Sequence, residues 1–330
     1  MRVLVTGSAG HLGEGLARVL AAAGHEVVGL DLLASPFTAV VGSVADRECV
    51  RGAMAGVDAV IHSATLHKPH VGSHGRQEFV QTNITGTLIL LEEAVAAGVS
   101  RFLFTSTTST FGRALTPDTG APAAWVTEDV APLPRNIYGV TKTAAENLCE
   151  LVCRDQGLPC LILRTSRFFP EEDDRDEVRP AFDGLNLKVN ELLYRRVDLQ
   201  DAVDAHLLAL DRAPQIGFDR YIISATTPFS PGDVDELHRD APAVVRRLFP
   251  DYEQIYARRG WTMLGVIDRV YVNARAREKL GWAPAYDFRH ALDRLAAGED
   301  PRSQLALAIG AKGYHAEPTG VYTTRARLDG

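Results

Sequence analysis

Hydrophobic positions in the first half of the chain fall into short, continuous apolar runs separated by stretches with helical spacing. Residues 3–6 form the first run, and Leu12, Leu16, Val19 and Leu20 follow at helical intervals. Further runs occupy residues 25–31, 38–41, 59–64, 101–105 and 158–163, and helical patterns fill 46–54, 76–97 and the stretch after Tyr138. Strands that are apolar on both faces and joined by helices predict a parallel sheet covered on both sides. The expected fold is therefore α/β, a Rossmann-type doubly wound parallel sheet. Residues 1–166 form its dinucleotide-binding domain. Residues 167–330 form mainly a smaller C-terminal substrate lobe, from which about 197–225 return to the sheet.

The turn after the first run carries Gly7, Gly10 and Gly13. The first glycine permits a tight turn, the second lets the backbone approach a pyrophosphate, and the third lets the helix pack close on the strand. The helix that follows offers unpaired N–H groups to that phosphate. Asp31 closes the second strand, where a carboxylate meets the adenosine ribose.

Between residues 113 and 137 stand Pro117, Pro122, Pro132 and Pro134, so a long irregular loop is expected. It delivers Tyr138 and Lys142, four apart and so on one face of a helix, one turn from each other. An ammonium favours a phenolate, which makes Tyr138 a candidate acid/base for a secondary alcohol.

The second half is less regular. Residues 171–177 are a charge run, expected as a solvated loop, and 242–249 and 274–280 are expected as small-lobe helices. His67, Lys68, His70 and His74 lie on one loop without an acid or cysteine to complete a metal site, so lining a polar pocket is the expected role and no metal is assigned. Cys149 and Cys153 lie four apart on a helix and are read as core residues.

Composition narrows the function classes. The 330 residues are 46% hydrophobic and 23% charged, ordinary for a globular protein with a large core. A net charge of -7 without a basic run argues against nucleic acid and membrane surfaces as partners, leaving a small molecule and a second copy of the chain, a homodimer. The first strand begins at once, leaving no room for a signal peptide, and no apolar stretch reaches the ~18 residues of a membrane helix. Cytoplasmic location is the expectation.

The motifs, taken in order, resemble the extended short-chain dehydrogenase/reductases, the NAD-dependent epimerase/dehydratase family. They are Thr6-Gly7-x-x-Gly10-x-x-Gly13, Asp31, Asp58-x-Val60-x-His62-x-Ala64, Asn83-x-x-Gly86-Thr87, the Ser/Thr cluster before Phe111-Gly112, Tyr138-x-x-x-Lys142 and Leu280-Gly281-Trp282-x-Pro284. The resemblance implies Tyr138 as acid/base, Lys142 bonding the nicotinamide ribose and lowering the tyrosine pKa, and Thr107 polarising the substrate oxygen. It implies an NAD site built from Gly7, Gly10, His11, Leu12, Gly13, Asp31, Ser43, Val44, Ala64, Asn83, Tyr138 and Lys142. No Arg or Lys follows Asp31 in residues 32–35 to receive a 2′-phosphate, which favours NAD over NADP.

The chain departs from the family in places. Thr108-Ser109 stand where family dehydratases carry Asp-Glu, so the acid that protonates a leaving hydroxyl is missing. Ser43 replaces the usual adenine-contacting Asp. Of two positions that ligate a nucleotide-sugar pyrophosphate, one is Arg167 and the other Tyr194, beside Arg195 and Arg196. Only 27 positions separate them (194 minus 167), a short segment that holds the acidic run. The expectation is an NAD-dependent oxidoreductase/epimerase moving hydride at a secondary alcohol of a sugar, sugar acid or similar small polyol, with His67, Lys68, His70, Thr108, Arg167 and Arg196 as substrate candidates. A nucleotide-sugar 4-epimerase is the alternative, and a non-catalytic NAD-binding sensor a second one.

Overall fold

A computed structural model describes residues 1–118, 120–171 and 182–312. Its first half runs β1 (Arg2–Thr6), α1 (His11–Ala22), β2 (Glu26–Asp31), β3 (Val40–Val41), α2 (Arg47–Ala53), β4 (Ala59–His62), α3 (Arg76–Phe79), α4 (Gly86–Ala96), β5 (Arg101–Thr107), β6 (Ala124–Val126), α5 (Ile137–Gln156) and β7 (Cys160–Thr165). Then follow α6 (Gly184–Glu191), α7 (Leu199–Ile216), β8 (Phe218–Ile223) and β9 (Arg269–Tyr271), with short helices between and after. Seven parallel strands form one sheet in the order β3-β2-β1-β4-β5-β7-β8. The order reverses between β1 and β4, and the crevice outside their carboxyl ends is where such sheets bind ligands.

Alternate residues of each strand supply two cores. Val3, Val5, Ile61, Leu103 and Leu163 pack against Leu12 and Leu16 of α1 and Val203 and Leu210 of α7. Leu4, Val60, Phe102, Phe104 and Ile162 pack on the other face against Val50, Leu90, Leu91 and Val152. The continuous apolar runs thus serve both faces. A third core, with Leu193, Tyr194, Leu237, Val244, Tyr256 and Phe288, belongs to the smaller lobe.

Three expectations change. Helix 76–97 is interrupted by π-helical turns at Val80–Thr85, whose extra residue re-aims Asn83. The proline-rich loop contains β6, which pairs in parallel with β9 more than a hundred residues later, a partner no local pattern announces. Ala274–Leu280 is not a small-lobe helix: Ala276, Leu280, Trp282 and, further on, Ile309 join the core between the sheet and α1 and α7. Trp282 Nε1 donates to the Asp201 carbonyl at 3.0 Å, and Asp201 accepts the Ala285 and Tyr286 N–H groups. The end of the described chain therefore returns to the first domain. No helix among the described residues is long and apolar enough to cross a membrane.

Candidate active site

At the carboxyl end of β1, Gly7 has φ +74°, left-handed backbone that favours glycine. A Cβ on Gly13 would overlap the Gly7 carbonyl oxygen and stand 2.6 Å from the Gly7 carbon, so α1 packs directly on the turn. A Cβ on Gly10 would meet only the Gly7 oxygen, at 3.3 Å, leaving its other side open to a ligand. Gly10 is also the N-cap of α1 and brings no capping side chain, whereas Asp46, Asn136, Asp183 and Asp198 cap α2, α5, α6 and α7. The first turn of α1, at His11 and Leu12, thereby points the positive end of the helix at the crevice. Asp31 is fixed beside them, accepting from Ala9 N and Leu33 N at 2.9 Å each. Opposite lie Ala64, whose N–H donates to Thr6 Oγ1 at 3.1 Å, and Val44, packed against Gly86. Ser43 turns its hydroxyl to the Ala45 N–H at 3.1 Å. The cradle fits a dinucleotide.

Asn83 is buried and spent on the protein. Its oxygen accepts from Leu66 N and Thr65 Oγ1, and its nitrogen donates to Leu66 O and Thr141 Oγ1, all at 2.9 to 3.0 Å. It braces the loop after β4 against α5, so it shapes the cofactor site without a free polar atom to offer it. His62 likewise bridges Thr6 and Thr87 at 2.8 and 3.0 Å, and burial and then the Lys142 charge hold it well below its ordinary pKa, hence neutral.

Tyr138, Lys142 and Thr107 come together from α5 and β5. Asn136 caps α5 through the Gly139 N–H at 3.0 Å and so fixes where Tyr138 starts the helix. Tyr138 is buried, and the Thr107 side chain lies near enough to its phenol to favour the ionised form. Thr107 Oγ1 also accepts from Ser109 N at 3.1 Å, and Thr108 is buried beside it. Lys142 Nζ donates to the Thr105 carbonyl at 2.7 Å and lies 3.9 Å from the centre of the Phe104 ring. The expected lowering of the tyrosine by the lysine is not what this arrangement produces: burial pushes the phenol up to about 12, the Thr107 side chain opposing it. Burial also pulls Lys142 down to about 7.

The expected phosphate positions are occupied differently. Tyr194 is a core residue of the smaller lobe. Arg167 and Arg196 form a parallel bridge at the carboxyl edge of the sheet, two residues past Thr165, which is in register with Thr107. Arg167, Arg195 and Arg196 converge on Glu191, which is 1% exposed, at 3.0, 2.7 and 2.8 Å. Burial alone would raise this carboxyl, but the three guanidiniums outweigh it and hold it below the usual range. Glu171, first of the acidic run, is buried and not solvated: it lies 3.0 Å from His11 Nε2 and accepts the Lys312 N–H at 3.2 Å, while Lys312 pairs with Glu14. The rest of the run, Glu172 to Glu177, lies outside the described residues, as do Tyr314 and His315. His67, His70 and His74 pack ring against ring at 4.6 and 5.0 Å, with the His67 N–H donating to His70 Nδ1 and Lys68 between them in sequence. Sequence reasoning missed Glu191 and Glu146. Glu146 had a signal, the same four-residue step that links Tyr138 to Lys142.

A model of the NAD dependent epimerase/dehydratase family matches residues 3–223. The chain belongs to that family. It is an NAD-dependent enzyme. Among relatives of this family member, the low-salt glycan biosynthesis protein Agl12 of Haloferax volcanii is 27% identical over 89% of this chain and 96% of its own length. The UDP-glucose 4-epimerase of Streptomyces lividans is 27% identical over 86% of this chain and 92% of its own. A short-chain dehydrogenase/reductase superfamily protein of Agrobacterium tumefaciens, solved with bound NAD, superposes with a TM-score of 0.65 at 25% identity, covering 90% of this chain and 96% of that one.

Proposed function

We propose that this epimerase/dehydratase-family enzyme moves a hydride at a secondary alcohol of a sugar, sugar acid or similar small polyol. The observation that carries the reading is the buried Tyr138 phenol beside the Thr107 side chain, with Lys142 one helical turn away on α5. Bound NAD accepts a hydride and can return it. Tyr138 exchanges the proton of the substrate hydroxyl and Thr107 holds that oxygen. Burial keeps Tyr138 protonated, the form that serves reduction; in oxidation that proton has to leave before the phenol can take the substrate's. Lys142 also anchors the nicotinamide ribose. His11 and Leu12 N–H groups with Gly7, Gly10 and Gly13 receive the pyrophosphate, Asp31 the adenosine ribose, and Ser43, Val44 and Ala64 line the cradle, with Asn83 acting from behind.

The lobe supports a substrate without a nucleotide. Tyr194 is in the core, and Arg167 and Arg196 are drawn onto Glu191. Thr108 on one side and His67, Lys68 and His70 on the other are the groups we assign to hydroxyls of a small polyol. Thr108-Ser109 in place of an acid speaks against dehydration. The relative from Streptomyces lividans and the arginines favour a second reading, a nucleotide-sugar 4-epimerase. An intact Tyr138, Lys142 and Thr107 speaks against a non-catalytic NAD sensor.

Absorbance of NADH across free sugars, uronic acids and nucleotide sugars, with product analysis, tests the reading. Calorimetric titration of the NAD-loaded enzyme with UDP and dTDP separates the two substrate classes: micromolar binding of either sinks the small-substrate reading. We further propose a homodimer, on Val140 and Leu151 exposed along α5, to be checked by light scattering. A reducing, cytoplasmic location fits four free cysteines.

A further inference from the structure

Tyr138, Lys142 and Glu146 follow one another at four-residue steps on α5, so one stripe of the helix presents all three to the sheet. Lys142 and Glu146 are each 1% exposed. Both are tied to consecutive residues of β5: Lys142 Nζ donates to the Thr105 carbonyl at 2.7 Å, and Ser106 Oγ donates to Glu146 at 2.5 Å. Thr107, whose side chain lies beside the Tyr138 phenol, is the next residue. We propose that Glu146 is a positioning residue for the reaction, keeping Lys142 charged in a dry site and locking α5 to β5 so that Tyr138 meets Thr107.

The surroundings of both groups support this. Lys142 faces Glu146 and Cys149 on its own helix, neutral His62 on β4, and the Phe104 ring and Thr105 carbonyl on β5. Glu146 is the one carboxylate among them. Glu146 itself faces Ser106 on β5, Arg164 on β7 and Arg220 on β8, with Glu150 of α5 drawing Arg220 away at 2.5 Å. Arg164 binds it through Nε at 3.1 and 3.2 Å and Nη2 at 2.7 Å, while Arg164 Nη1 reaches the Glu128 carbonyl at 3.4 Å. Burial pulls Lys142 down to about 7, and Glu146, followed by Cys149, pushes it back up. Without the carboxylate, Arg164 and Arg220 would add to the pull.

The inference rests on Lys142 acting as a cation in the proposed reaction. Its test reads Lys142 without turnover, by NMR titration of 15N-labelled lysine Nζ, alongside the pH profile of kcat/KM. In the wild type the midpoint is expected near 7. Glu146→Gln should lower it by about one pH unit or more, taking the charged fraction at pH 7 from about a half to about a tenth, and the alkaline limb of kcat/KM should move with it. Glu146→Asp, which keeps the charge, should restore most of the midpoint. Because Glu146→Gln leaves Arg164 buried without its carboxylate, the double variant Glu146→Gln/Arg164→Met is measured too, and its midpoint should also fall. An unmoved midpoint in the folded double variant, or a fall that Glu146→Asp does not reverse, overturns the proposal. Inactivity toward every sugar tried would overturn the functional reading and leave the midpoint result standing.

Discussion

Gly10 and Gly13 lie three residues apart in the same turn, yet a methyl group on each should do different damage. On Gly13 the new Cβ overlaps the Gly7 oxygen and stands 2.6 Å from the Gly7 carbon and 2.8 Å from Ser8 Cα, all backbone atoms that cannot swing away. Ordinary contact begins at 3.4 Å and the overlapped oxygen is nearer than either carbon, so α1 must retreat by more than about 0.8 Å. That retreat opens the packing of Leu12 and Leu16 on the sheet, at a cost of roughly 1–3 kcal/mol, read as a fall of a few degrees in Tm. It also takes N–H groups of ~2.9 Å reach out of bonding range of a phosphate. Each charge-assisted bond lost, at roughly 1.5–3 kcal/mol, weakens NAD about tenfold to a hundredfold. On Gly10 the Cβ meets only one oxygen at 3.3 Å, and its φ of -75° and ψ of 170° suit alanine. Gly10→Ala should therefore keep the wild-type Tm and lose NAD, because its methyl group fills the face where the pyrophosphate approaches. Thermal melts of both variants with and without saturating NAD decide it, since NAD raises Tm only where it binds the folded state. A Gly13→Ala protein with wild-type Tm and a wild-type NAD shift would refute the reasoning, as would a Gly10→Ala protein that melts early and still binds NAD.

Tyr138→Phe should reduce turnover at least roughly a hundredfold while leaving NAD affinity nearly unchanged by calorimetry, because the phenol serves the proton and not the cofactor. Activity near wild type would place the acid/base elsewhere. Asp31→Ala should weaken NAD more than NADP, since it removes a ribose acceptor and a charge that repels a 2′-phosphate; tighter NADP than NAD in the wild type would contradict the assignment. Glu191→Gln should cost roughly 3–5 kcal/mol in denaturant melts, because it leaves three guanidiniums packed around a neutral amide. The folded pKa of Glu191 is depressed, so its contribution is present above its ordinary value of 4.5 and is lost as pH falls toward the lower folded pKa. The gap between wild type and variant should be flat from pH 8 to about 5 and narrow below that; a gap that widens in acid would show the sign to be wrong.

Much of this was legible in the sequence because it is local. Strand, glycine turn and helix are contiguous, so the periodicity of residues 3–20 and the places of Gly7, Gly10 and Gly13 specify one cradle without reference to the rest of the chain. The four-residue step from Tyr138 to Lys142 fixes a shared helical face by the same kind of short-range geometry. The parallel sheet follows from apolar runs too continuous for a strand with one face in water. What only the tertiary structure decided depends on segments distant in sequence. β6 finds β9, Ala274–Leu280 and Trp282 return to the first core, and Arg167, Arg195 and Arg196 meet on Glu191. Asn83 faces the cofactor cleft by its place in the motif, yet the loop after β4 and α5 between them consume its amide. The ionisation of Tyr138 and Lys142 belongs here as well: spacing places an ammonium near a phenol, but how far each shifts is set by how much water the fold removes from around them, and that is a property of the whole packed structure.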